Sequence, residues 1–195
     1  MDREYRRAIM SYEKGLRQRN RLLYRIREEG LSRSQLLFWD QLLIKNGDYI
    51  TRERTKFIDY INTTGKLKII YDFSAISEGR LEQYAEEEVA AATTLVGPHR
   101  DDFQIKDIDR DLATYGSRGE QRMGVLWLKM AELSFVEQRS GERPVLILDD
   151  IFSELDHGHR QVVMDIVGKQ QTIITTADPH YIEAIKKVEI IKLSI

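Results

Sequence analysis

Pro144-Val145-Leu146-Ile147-Leu148-Asp149-Asp150 decides the reading of this chain. Val145 to Leu148 is a continuous apolar run, as expected of a strand covered on both faces. Two carboxylates follow where that strand ends. Successive side chains of a strand point to opposite sides, but at its end the chain turns and both can reach a site beyond the sheet edge. Paired carboxylates there suit a phosphate-bound magnesium ion, one holding the metal through water and the next polarising an attacking water. A plainer account is also open: Asp149 caps a backbone turn and Asp150 begins the loop.

Two flanking motifs sharpen the choice. Upstream stands Ser117-Arg118-Gly119-Glu120-Gln121. Its Ser-x-x-Glu spacing is that of a capping box, in which Ser117 caps a helix and Glu120 reciprocates. The same geometry is a ready anion site, because a helix N-terminus beside a glycine offers N–H groups, a hydroxyl and a positive dipole end. A long amphipathic helix after it, leading into Val145–Asp150, raises the motif above a mere cap. Downstream stands Ser153-Glu154-Leu155-Asp156. Asp156 alone would read as the N-cap of the next helix; its place just past the acidic pair gives it specificity.

Working outward, His157–Gly168 reads as a helix with Val162, Val163, Ile166 and Val167 inward. Thr172–Thr176 reads as a second strand, Pro179–Lys187 as a short helix and Val188–Ile195 as a closing strand. Towards the N-terminus, Phe103–Leu112 reads as a strand or hairpin around Asp107 and Asp109, after a Gly97–Asp102 turn. Ser77–Thr93 reads as one helix and Leu67–Phe73 as a strand. The first sixty or so residues read as two helices. Tyr5, Ile9, Tyr12, Leu16, Leu23 and Ile26 form a heptad seam that only Arg19 interrupts. Gly30 stops that helix, and Ser32-Arg33-Ser34-Gln35 has the form of a capping box for the next. There Leu36, Leu43, Ile50 and Phe57 recur every seventh residue, with Trp39 and Tyr60 at companion positions and a break expected at Gly47. Two seams joined by a short link predict an antiparallel helical hairpin.

Composition bounds the function classes. Hydrophobic residues make up 42% and charged residues 32%, which excludes a disordered tail. No apolar run approaches the roughly 18 residues of a membrane span, and Met-Asp-Arg-Glu is not a signal peptide. Zero cysteines exclude disulfides and thiolate metal sites and suit a reducing cytoplasm. Four scattered histidines make no metal site. Net charge is −2, yet residues 1–33 hold ten Lys/Arg against five Asp/Glu, a local +5 that leaves −7 for the rest. The stripe Lys14, Arg17, Arg21 and Arg25 is compatible with phosphate-backbone contact, or is simply a solvated helix face.

Taken together, the chain resembles the RecF recombination-repair family, relatives of the SMC-type ABC ATPases. The resemblance is carried by Gly97-Pro98-His99-Arg100-Asp101-Asp102-Phe103, by Tyr115-Gly116-Ser117-Arg118-Gly119-Glu120-Gln121-Arg122, and by Val145 through Asp156. Tyr12-Glu13-Lys14 and Leu16-Arg17-Gln18-Arg19-Asn20 are similar to the start of that family's helical lobe. The implied fold is α/β: a helical lobe over 1–94, then over 95–195 the C-terminal part of an ABC-type head with a mainly parallel sheet. The resemblance implies that Asp149 is the magnesium-associated carboxylate and Asp150 the catalytic acid. It implies that Ser117, Arg118, Gly119, Glu120 and Gln121 meet ATP held by a second subunit, and that Ser153 and Asp156 lie at the dimer contact. The implied partners are gapped or junction DNA, a second copy in an ATP-dependent dimer, and recombination mediator proteins. The implied cofactors are ATP and Mg2+ in the full-length protein, with none bound tightly by this chain alone. No Gly-x-x-x-x-Gly-Lys-Ser/Thr loop occurs in the 195 residues, so the phosphate loop and Q-loop are expected in a further N-terminal lobe. Many ABC ATPases place a switch histidine after the strand at Thr172–Thr176; here Ala177 or a threonine stands there, and His180 comes late.

Two other classes fit parts of the pattern. A non-catalytic DNA- or protein-interaction module would use the Lys14–Arg25 stripe. A magnesium-dependent hydrolase would use Asp149, Asp150 and the Asp101/Asp102 pair, but leaves Ser117–Gln121 and Ser153–Asp156 without a purpose.

Overall fold

The computed structural model describes residues 3–65, 67–154, 157–167, 170–178, 180 and 189–192. They fall into two compact units, Met1–Asp109 and Arg110–Ile195, so the segment after residue 94 is held with the helices that precede it.

In the first unit α1 (Arg3–Glu29) and α2 (Leu37–Thr64) form the helical hairpin. The heptad residues are inward: Tyr12, Leu23, Leu36, Leu43 and Ile50 are buried. Gly30, at φ +67°, ends α1. Ser32 caps not an α-helix but a 3-10 turn, Arg33–Leu36, through the Ser34 N–H. α2 runs unbroken through Gly47, so the expected break is absent. A Cβ there would come within 2.6 Å of Ile76, and the glycine serves to let Ile76 and Pro98 close on the helix.

β1 (Leu67–Asp72) pairs antiparallel with β2 (Asp102–Asp107), Ile69 opposite Ile105 and Tyr71 opposite Phe103. The stretch expected as one helix is two, α3 (Glu78–Gln83) and α4 (Ala85–Ala91). Tyr84, at φ −99° and ψ 12°, leaves helical geometry between them, and Ala92 in the left-handed region ends the second. Ala8, Tyr12, Leu43, Ile50, Ile76, Leu81 and Val96 make one core.

The second unit opens with β3 (Arg110–Asp111) and α5 (Leu112–Tyr115), then α6 (Arg118–Ser140), which Gly141 closes in the left-handed region as expected. β4 (Leu146–Asp149) lies parallel to β5 (Thr172–Thr175), with Leu146 opposite Thr172 and Asp149 opposite Thr175. α7 (His157–Val167) makes the crossover. Leu126, Leu148, Phe152 and Val163 form the core, with Met123 and Met130 of α6 and Val167 of α7 against it. Val162, expected inward, is instead exposed, because the inward face of α7 is centred on Val163. Ile147, 67% exposed, and its register partner Ile173 are open on the opposite face of the pair. Residues 189–192 form no strand; the rest of that expected strand and most of the expected 179–187 helix lie outside the described residues.

Candidate functional site

Asp149 is the last residue of β4 and Asp150 the first beyond it, so both stand at the carboxyl edge of a parallel pair. That edge is where open α/β sheets present ligand-binding groups. Asp150 has φ +46°, a left-handed backbone that aspartate tolerates better than most residues. Its N–H donates to both the carbonyl of Thr175, at 3.1 Å, and the Thr175 hydroxyl, at 3.2 Å. The Thr175 hydroxyl in turn donates to Oδ1 of Asp149. One threonine therefore fixes both acidic positions. Both carboxylates are exposed.

The second cluster surrounds the start of α6. Ser117 and Glu120 form a complete capping box: the Ser117 N–H donates to Glu120 Oε2 at 2.7 Å, and the Glu120 N–H to Ser117 Oγ at 3.3 Å. Glu120 is held well below the usual carboxylate range, at about 2, by the Ser117 N–H first and by Arg110 second. Arg110 reaches its Oε1 at 2.5 Å. Gln121 donates through Nε2 to the carbonyls of Leu112 and Ala113, at 3.1 and 3.0 Å, tying α6 back to α5. Arg118 is exposed beside them on the first turn, with Gly119 half-buried. The turn is thus preorganised and open to solvent, with the Ser117, Glu120 and Gln121 donors engaged in holding it and the Arg118 side chain exposed.

No family model matches the chain. Curated relatives do. The DNA replication and repair protein RecF of Herpetosiphon aurantiacus is 35% identical over 218 residues, covering 97% of this chain and 56% of that protein. RecF of Lachnoclostridium phytofermentans is 36% identical over 186 residues, covering 88% and 52%. A solved recombination mediator protein RecF, as RecF-ATPrS in the RecFOR pathway, aligns with TM-score 0.75 at 32% identity, covering 91% of this chain and 54% of that one. Its RecF-ATP counterpart aligns with TM-score 0.74. The chain belongs to the RecF family. It spans about half the length of the RecF relatives it matches, consistent with a C-terminal portion, and its fold, a helical lobe followed by an α/β part, matches that portion of the solved RecF structures.

Within this RecF framework the Gly97–Asp102 hexapeptide is a clasp of the first unit. Asp101, 5% exposed, accepts from Arg54 at 2.7 Å, from the Ser74 N–H at 2.8 Å and from the Tyr71 hydroxyl. Arg54 also donates to the Pro98 carbonyl at 2.6 Å. Gly97 has φ +119° and lies against the Tyr12 hydroxyl, which bonds His99 Nδ1 at 2.9 Å. Partial burial pushes the His99 ring below its ordinary value. Asp101 is therefore occupied in holding β1, α2 and the turn together, which removes it from the metal-ligating role that the hydrolase reading needs. Among the described residues no three His, Asp or Glu side chains gather as a metal site.

Lys14, Arg17 and Arg21 are exposed along α1, and Arg25 shares their face but is paired with Glu29 at 3.0 Å. The side chain of Ser153 is not described, its backbone lying in the 3-10 turn Ile151–Glu154, and Asp156 lies outside the described residues. The His180 N–H donates to Asp178 Oδ1 at 3.0 Å.

Two residues escaped the sequence reading. Thr175 is one; only its register against Asp149 reveals it. Arg19 is the other, the residue that interrupts the α1 seam. It is 2% exposed, paired with Asp40 at 2.6 Å and Glu88 at 2.7 Å and bonded to Thr94 at 2.9 Å. The interruption itself was the available signal.

Proposed function

We propose that this chain is one partner's share of a composite ATP site in a RecF-type DNA-repair protein. Asp149 would hold magnesium together with phosphates and water, and Asp150 would orient the attacking water. Ser117, Arg118, Gly119, Glu120 and Gln121 would face the γ-phosphate bound to a second copy, with Ser153 and Asp156 at the contact between copies. The observation that supports this most is the joint anchoring of Asp149 and Asp150 by Thr175 at a parallel-sheet edge. A single exposed aspartate with a fixed rotamer suits Mg2+, which takes one or two carboxylates and completes its shell with phosphate and water. When bound, ATP with Mg2+ supplies the transferable phosphoryl group; the protein's part is placement of charge and of water.

In this reading the outer face of α1, with Lys14, Arg17, Arg21 and Arg25, meets DNA phosphates at gaps or junctions, and mediator proteins of recombination are further partners in the cytoplasm. No helix among the described residues is long and apolar enough to cross a membrane. The test is ATP hydrolysis by this chain joined to the remaining portion of a RecF relative. Activity should appear on joining and be lost in Asp150→Asn and Ser117→Ala; hydrolysis unchanged in both variants would refute the site.

A further inference from the structure

Two residues separate the end of α2 from the start of β1, and Gly65, extended at φ −127° and ψ 167°, turns the chain there. The last turn of the helix therefore lies alongside the strand that leaves it. Asn62 stands in that turn, half-buried beside the fully buried Ile61. Its side-chain amide meets the backbone of Ile69 twice. The Ile69 N–H donates to Asn62 Oδ1 at 2.7 Å, and Asn62 Nδ2 donates to the Ile69 carbonyl at 2.9 Å. Lys68, the neighbouring strand residue, donates from Nζ to the Asn62 main-chain carbonyl at 2.5 Å. That carbonyl is one of those a helix end leaves without an intrahelical partner.

These bonds fall on one particular edge. Among the described residues β1 is the outer strand of the order β1-β2-β3. Ile69 lies opposite Ile105, yet its N–H goes to Asn62, so this is a pair whose backbone groups point away from the partner strand. By the two-residue period of a strand, the backbone groups of Leu67 and Tyr71 turn the same way. Asn62 sits at the middle of the three. An asparagine side chain carries the donor and acceptor of a peptide group, so it engages Ile69 as the backbone of a further strand would. An uncovered edge of this kind is a template for another chain.

We propose that Asn62 is the stop of this sheet: it closes the β1 edge against strand addition, and the strand it excludes is β1 of a second copy. Antiparallel pairing of β1 with itself about Ile69 is self-complementary and closes as a two-fold dimer. The amide denies that dimer its central pair of bonds. The helix turn behind the amide fills the space where a neighbouring strand, about 4.8 Å away, would run. A cap for α2 alone is the poorer account, since both bonds of the amide leave the helix.

The test is hydrogen exchange and light scattering on this chain and two variants. In Asn62→Ala, measured at a dilution where it is monomeric, the Ile69 amide should exchange about 10-fold faster than in the wild type. At higher concentration the same variant should form a dimer that the wild type does not form. Asn62→Ala combined with Leu67→Pro should return to the wild-type mass, because proline is tolerated at the first position of a strand but gives the edge no donor. Association through loosened structure would not be reversed by that proline. Unchanged Ile69 exchange, no added association in Asn62→Ala, or a double variant that associates as fully as the single one would each overturn the proposal.

Discussion

The Thr175 hydroxyl donates to the Asp149 carboxylate, while the same oxygen accepts from the Asp150 N–H at 3.2 Å. The two strands thus share one hydroxyl at the place where the acidic pair leaves the sheet. A charge-assisted bond of this kind fixes a rotamer as well as adding stability. Replacing Thr175 by the isosteric valine should cost about 1 kcal/mol in urea unfolding. In the chain joined to the rest of a RecF relative, it should also lower ATP turnover more than ATP binding. Wild-type turnover in Thr175→Val would separate this contact from the chemistry.

The chain by itself should bind ATP weakly and hydrolyse none at a useful rate. Its 195 residues include no phosphate loop to cradle the β- and γ-phosphates. Isothermal titration with ATP and magnesium checks this, and micromolar binding would contradict it.

Glu120 sets a pH window. Its carboxylate is pulled down to about 2 by the Ser117 N–H and by Arg110, from an ordinary 4.5. A depressed acid contributes stability fully above its unfolded value and loses it as pH falls through the folded one. The capping box should therefore weaken between about pH 4.5 and about pH 2 and be insensitive above. A carboxyl NMR titration of Glu120 with a midpoint near 4.5 would show that the box does not persist in solution.

Arg19→Ala should be among the most destabilising single changes. It leaves Asp40 and the fully buried Glu88 without their cation, and stranding a buried charge costs roughly 3–5 kcal/mol. Denaturant unfolding gives the value; a loss below about 1 kcal/mol would mean that water replaces the guanidinium.

Binding of duplex or gapped DNA, if it runs along α1, should fall steeply with salt. Arg17→Ala and Arg21→Ala should each reduce the slope of log K against log salt by about 1. Arg25→Ala should do less, because Glu29 already engages that side chain. Slopes unaltered in all three would move the DNA surface elsewhere.

What the sequence disclosed was chiefly local. The heptad seams gave the hairpin because 3.5-residue periodicity survives in the chain as written, and the Ser117–Glu120 box was legible because its partners are three residues apart. Arg19 was not legible as a core residue, since Asp40 and Glu88 are far along the chain and nothing local announces them. The division at Tyr84 was hidden by a run of good helix formers on either side. Gly47 lies inside an unbroken α2 and admits Ile76 and Pro98; in sequence, a glycine admitting a neighbour looks like a glycine ending a helix. Thr175 stayed invisible because parallel register pairs residues 26 positions apart.

Ile147 and Ile173, facing outward together from β4 and β5, have a practical consequence. An oily two-strand surface left wet should make the polypeptide prone to clouding on gentle warming and eager for anilinonaphthalene dyes. Ile147→Thr, which keeps the branched shape a strand favours, should dim the dye signal and delay the turbidity without shifting the main unfolding step.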